Sequence, residues 1–161
     1  MPRIWLSSLA LAHIETEANR MWPLETGGIL LGYLDTNDEL VIRFASGPGP
    51  NAIHRRTTYT PDHEAQMEYL DAMYAEYESV ADYVGDWHTH PGMSPVMSFL
   101  DCRTLCRIAH SPSLTMKNPV MVIAGNGNSQ LWDLRSYVHK EHNWWQLLDI
   151  YQMPEIHIFE P

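Results

Sequence analysis

Apolar positions switch repeatedly between a spacing of two and a spacing of three to four, so strands and helices alternate along the chain. Residues 3–6 read as a short strand. Ser7 or Ser8 then caps a helix to about Trp22, with Leu9, Ala12, Ala18 and Met21 inward. Pro23 ends that helix. Residues 26–33 are apolar and glycine-bearing, as suits a buried strand approached closely by other backbone. Residues 35–39 turn the chain into a second strand over 40–45, and Ser46-Gly47-Pro48-Gly49-Pro50 is a loop. Pro61-Asp62 opens a helix to about Glu78, whose Met67, Leu70, Met73, Tyr74 and Tyr77 recur at helical spacing and are expected in the core. A strand over 81–90 and a helix over 98–109 follow. Then comes a hairpin of 119–124 and 130–138 about Gly125-Asn126-Gly127-Asn128. The expected architecture is a single α/β domain over residues 1–138, a mixed twisted sheet flanked by helices. Residues 139–161 are expected as a tail docked on it through Trp144, Trp145, Leu147, Leu148 and Ile150.

Composition narrows the function classes. A hydrophobic share of 45% with six Trp and eight Tyr supplies a core for one domain of 161 residues. The 20 acidic and 10 basic residues leave a net charge of −10, which disfavours nucleic acid and anionic membrane surfaces as partners. His54-Arg55-Arg56 is the densest positive cluster and reads as a solvated group that could touch an acidic substrate. Cys102 and Cys106 cannot make a disulfide framework and read as structural thiols. No run approaches the roughly 20 apolar residues that span a bilayer, and no secretory leader is recognisable, so a cytoplasmic location is expected.

Chemistry concentrates in Gly85-Asp86-Trp87-His88-Thr89-His90-Pro91 and the ten residues that follow. On a strand, His88 and His90 project to one face. Pro91 stops the ladder, and a Gly/Pro-bearing loop leads to a helix near Ser98 with Asp101 on its first turn. Two imidazole nitrogens and one carboxylate oxygen suit a tetrahedral zinc with its fourth position open to water. Zinc lowers the pKa of such a water to about 7. A neighbouring carboxylate can carry the proton onward to a leaving amine.

The arrangement Glu25, then His88-x-His90-Pro91, six residues, Ser98-x-x-Asp101 resembles the motif of the JAMM (MPN+) metalloproteases. Glu25-Thr26-Gly27-Gly28-Ile29-Leu30-Leu31-Gly32 and Gly85-Asp86-Trp87 resemble its prokaryotic JAB-type, deubiquitinase-like branch, and the likeness spans about residues 7–124. The resemblance implies an MPN-like fold and one zinc ion held by His88, His90 and Asp101. It implies Glu25 as general base and then general acid, and Ser98 as a hydrogen-bond donor to the tetrahedral intermediate or to the water. It further implies an isopeptidase or peptidase that frees a ubiquitin-like protein from conjugates or precursors. Such enzymes belong to bacterial systems with E1-like and E2-like proteins, some of them in antiphage defence.

Each piece has a plainer reading alone. Ser98-Phe99-Leu100-Asp101 is a capping-box pattern, Glu25 could be a solvated carboxylate, and a lone His-x-His is common. Asp86 shares the face of His88, either as its hydrogen-bonding support or as a surface acid. His139-x-x-His142 lacks a third partner and reads as surface. The competing function is a non-catalytic MPN-like scaffold that binds a partner protein. Such relatives usually lack a ligand, and this chain lacks none.

Overall fold

The expected alternation is present over residues 3–116, 118–127, 129–139 and 151–161, those that the computed structural model describes. The elements are β1 (Ile4–Ser7), α1 (Ser8–Met21), β2 (Gly27–Leu34), β3 (Leu40–Ala45), β4 (Ile53–His54), β5 (Tyr59–Thr60), α2 (His63–Tyr77), β6 (Asp82–His90), α3 (Phe99–Ala109), β7 (Val120–Gly125), β8 (Asp133–His139), β9 (Tyr151–Gln152) and β10 (Ile156–Phe159). Eight strands form one sheet in the order β10-β1-β3-β2-β6-β7-β8-β9, with β4 and β5 paired separately. Three pairs are parallel (β1 with β10 and β3, β6 with β7) and four antiparallel, so the sheet is mixed.

Two cores lie on opposite faces. On β7, Val120, Val122 and Ala124 join one cluster with Ala10 and Ile14 of α1, while Met121 and Ile123 join another with Leu105 of α3 and Tyr137. Successive strand residues alternate faces, so α1 and α3 cover opposite sides of the sheet. A register shift between Leu30 and Leu31 against β6 lets Val84 and Trp87, three apart, enter the α1 layer together.

Three expectations about packing change. Helix α1 buries Ala10, Ile14, Glu17 and Ala18, while Leu9 and Ala12 face outward. The burial of Glu17 sets this phase. It takes two hydrogen bonds from Arg20 (2.9 and 2.7 Å) and one from the Thr26 hydroxyl (3.2 Å), so a charged residue occupies an inward position. Helix α2, capped by Asp62, fully buries only Gln66; Met67 and Tyr74 are more than half exposed. Its sheet contact runs instead through the Tyr69 hydroxyl to the Ala45 carbonyl and the ring of Tyr77 on Phe44, while Gln66 reaches Tyr59 of β5. The short β4–β5 hairpin is the third change, since its two-residue strands carry no periodicity to detect.

Residues 151–161 place β9 and β10 at the two opposite edges of the sheet, although only three residues separate them. The edges therefore approach each other and the sheet curls, with the Ser136 hydroxyl donating to the Pro154 carbonyl at 2.6 Å. Trp144, Trp145, Leu147, Leu148, Ile150 and His142 lie outside the described residues. Among the described residues, no helix is long and apolar enough to cross a membrane.

Candidate metal centre

The site begins where β2 and β6 start to pair. Gly27 stands opposite His88, and Thr26 and Thr89 exchange two bonds, Thr26 N–H to the Thr89 hydroxyl (3.0 Å) and Thr89 N–H to the Thr26 carbonyl (2.9 Å). Continuing that register places Glu25 opposite His90. Residues opposite each other across an antiparallel pair share a face, so Glu25 comes to the side that carries both imidazoles. The approach is tight at Gly27, where a Cβ would fall 2.3 Å from the Trp87 carbonyl oxygen and 2.8 Å from the Tyr59 ring.

After His90 the chain must return Asp101 to the same point. Gly92 N–H donates to the Asn126 side chain (2.8 Å) and Gly127 N–H to the Met93 carbonyl (2.9 Å). The buried Tyr137 hydroxyl donates to the Pro95 carbonyl (2.8 Å) and accepts from Met97 N–H (3.1 Å). So pinned, the loop delivers Ser98 as N-cap of α3. Ser98 Oγ accepts from Asp101 N–H (3.2 Å), and Asp101 Oδ2 accepts from Ser98 N–H (2.7 Å). The cap and the ligand reading of Asp101 thus coexist.

Three donor groups converge. His88 Nε2 and His90 Nε2 are 3.1 Å apart, Asp101 Oδ1 is 3.2 Å from His88 Nε2, and Asp101 Oδ2 is 3.3 Å from His90 Nε2. Tetrahedral zinc with bonds of about 2.0–2.1 Å needs donor–donor edges of about 3.3–3.4 Å. These separations, measured to both Asp101 oxygens, lie within a few tenths of an ångström of that span, and the donor set fits a divalent metal. Electrostatics agrees. Burial alone would raise the Asp101 carboxyl, but hydrogen bonds from His88 and His90 and their charge hold it well below the usual carboxylate range. Burial works against a charged His90, yet Asp101 overrides it and raises the imidazole above its ordinary value.

A metal ion competes with protonation of the His90 imidazole, which this contact favours. Uptake is therefore predicted to release protons and to weaken as pH falls through the raised His90 value. Calorimetry in buffers of different ionisation enthalpy reads this directly; proton-neutral, pH-independent uptake would count against these ligands.

Glu25 is 7% exposed, so it is no solvated carboxylate. Burial pushes its carboxyl up, against the opposing pull of His88 and His90. Its backbone is fixed by the β4–β5 hairpin: Glu25 N–H donates to the Arg55 carbonyl (2.8 Å), and His54 Nδ1 contacts the Glu25 carbonyl oxygen (2.8 Å). His54 is thus taken out of the solvated cluster, while Arg55 and Arg56 are exposed as expected. Asp86 is no free surface acid; it lines the site, accepts from the Tyr83 hydroxyl (2.9 Å), and burial raises its carboxyl. His139 is buried against the His110 ring, 5.4 Å between centroids, and not on the surface. Cys102 and Cys106 are free, half-buried thiols.

Glu25, His88, His90, Ser98 and Asp101 share one cavity of about 640 Å³, walled by Tyr59, Gln66, Thr104 and Arg107. Met93, Phe99 and Leu100 form an exposed apolar rim, with Phe99 76% exposed. His54, Asn126 and Tyr137 were not legible as site residues, because they act through backbone carbonyls and amides outside the motif.

Comparison with known proteins follows the same lines. The family model for prokaryotic homologues of the JAB domain matches residues 8–138. A protein of Sinorhizobium fredii named as a probable metalloprotease is 35% identical over 130 residues, covering 79% of each chain. A CD-NTase/cGAS isopeptidase of Enterobacter hormaechei is 29% identical over 137 residues, 84% of this chain and 74% of that one. The solution structure of a Desulfitobacterium hafniense protein superposes with a TM-score of 0.71 at 19% identity, covering 98% of this chain and 94% of that chain, a likeness of fold.

Proposed function

This chain belongs to the prokaryotic JAB family, and from that premise we propose that it is a zinc-dependent isopeptidase that releases a ubiquitin-like protein from conjugates or precursors. Relatives named as a metalloprotease and an isopeptidase support hydrolase activity. The observation that carries the reading is the His88–His90–Asp101 triangle with Glu25 on the same strand face of one cavity. His88, His90 and Asp101 would hold the metal, with zinc favoured by its two-nitrogen, one-carboxylate donor set. When bound, the metal supplies Lewis acidity, acidifying water and polarising a carbonyl.

The chain's own groups do the rest. Glu25, buried and held at both backbone polar groups, takes a proton from the attacking water and returns it to the leaving amine. Ser98 Oγ already accepts from Asp101 N–H, which leaves its own O–H to donate to the oxygen where negative charge develops. The exposed Met93, Phe99 and Leu100 rim fits a protein substrate, since apolar side chains clustered at a cleft mouth mark a docking surface. The isopeptidase names of two relatives favour release from a conjugate; a bacterial conjugation system with E1-like and E2-like proteins, including antiphage defence, is the setting we propose for it.

The test is purified, zinc-loaded protein incubated with a fusion or conjugate of a ubiquitin-like protein encoded beside it. A single cut after the terminal glycine is expected. Failure to cleave any such substrate would sink the proposal.

A further inference from the structure

The cavity holds one feature that metal binding and proton transfer do not use. Asp101, Thr104 and Arg107 all face it from α3, at intervals of three residues. At 1.5 Å rise per residue, Arg107 lies about 9 Å along the helix from the metal ligand, before its own side chain extends. Arg107 is exposed at the cavity wall, and no hydrogen bond or ion pair among the described residues ties up its guanidinium. The acid that feels its charge is Asp86, already hydrogen-bonded to Tyr83. A place in the last turn of α3 suits any cation, because the helix dipole is negative there. That explains the position along the helix but not the face turned to the cavity.

We propose that Arg107 is a specificity-determining residue that binds a substrate carboxylate at one position a few residues from the scissile bond, since the helical rise and the reach of its side chain together exceed the length of one extended residue. A guanidinium grips a carboxylate through two parallel N–H bonds, which fixes position as well as charge. The need is physical. A chain of net charge −10 repels acidic segments, so a substrate with an acid near its cleavage point needs a cation at the cleft, and Arg107 on its exposed wall is placed to supply one. The carboxylate can be an Asp or Glu side chain or a chain end.

The location of the scissile bond rests on the hydrolase reading, so binding and cleavage are tested separately. Short peptides with a central Gly-Gly carry Asp, Asn or Lys stepped through each position, with amidated ends. A second set ends at the same positions in a free carboxylate. Affinity is read by fluorescence anisotropy with metal-loaded Glu25→Gln protein, and cleavage with the unsubstituted enzyme. Asp at one position, a few residues from the Gly-Gly, should bind at least about tenfold more tightly than Asn at that position. Arg107→Gln should erase that preference and Arg107→Glu should turn it toward Lys, while neutral peptides bind all three alike. If the free-end set carries the preference instead, the carboxylate is a chain terminus. A flat positional profile, a preference unchanged in Arg107→Gln, or no binding by any peptide overturns the subsite. Ordered binding without cleavage would count against the hydrolase reading alone.

Discussion

Glu25→Gln is expected to lower kcat by about 10²–10⁴-fold while leaving metal content and fold unchanged. The amide keeps the shape of the carboxyl and cannot take a proton. The site tolerates it because the native carboxylate is held against its own desolvation, which pushes its pKa up. A neutral group at a position 7% exposed relieves that cost, so thermal stability should hold or rise slightly. Both backbone bonds of Glu25, to Arg55 and His54, survive the change. The variant therefore separates chemistry from structure. Turnover within a few-fold of the parent, with metal retained, would remove Glu25 as the proton carrier.

The second large effect concerns Asp101, to which the proposed function gives two jobs. Its carboxylate completes the donor triangle, and its Oδ2 closes the capping box at the start of α3. Asp101→Asn keeps an oxygen for the Ser98 N–H but gives up the anionic ligand, so metal and activity should be lost with α3 intact. Asp101→Ala gives up both, and its metal-free form should be about 1 kcal/mol less stable than that of Asp101→Asn, the usual worth of a cap. Metal analysis and urea denaturation of the two variants resolve the roles. Stoichiometric, tightly held metal in Asp101→Asn would show that the carboxylate charge is not needed at this centre.

The fold and the triangle were legible because strand alternation and helix capping are local. His88 and His90 share a face by the geometry of a strand, and Ser98 and Asp101 cap each other across one helical turn. Phase and support were harder to read. The inward face of α1 turns on Glu17, which is buried only because Arg20 and Thr26 satisfy it. The Met and Tyr stripe of α2 has the spacing of a core face, yet Met67 and Tyr74 stay exposed because α2 rests on the β4–β5 hairpin through Gln66 and on the sheet through Tyr69 and Tyr77. His54 and Tyr137 support the site across 29 and about 40 residues of chain, through backbone atoms that any residue possesses. No spacing rule records such contacts.

Zinc content and cleavage of a ubiquitin-like fusion, followed together on one sample as it is stripped by a chelator and reloaded, test the central claim most directly. One zinc per chain is predicted, with activity lost on stripping and restored in proportion to the zinc returned. Full cleavage by the stripped protein would contradict the account.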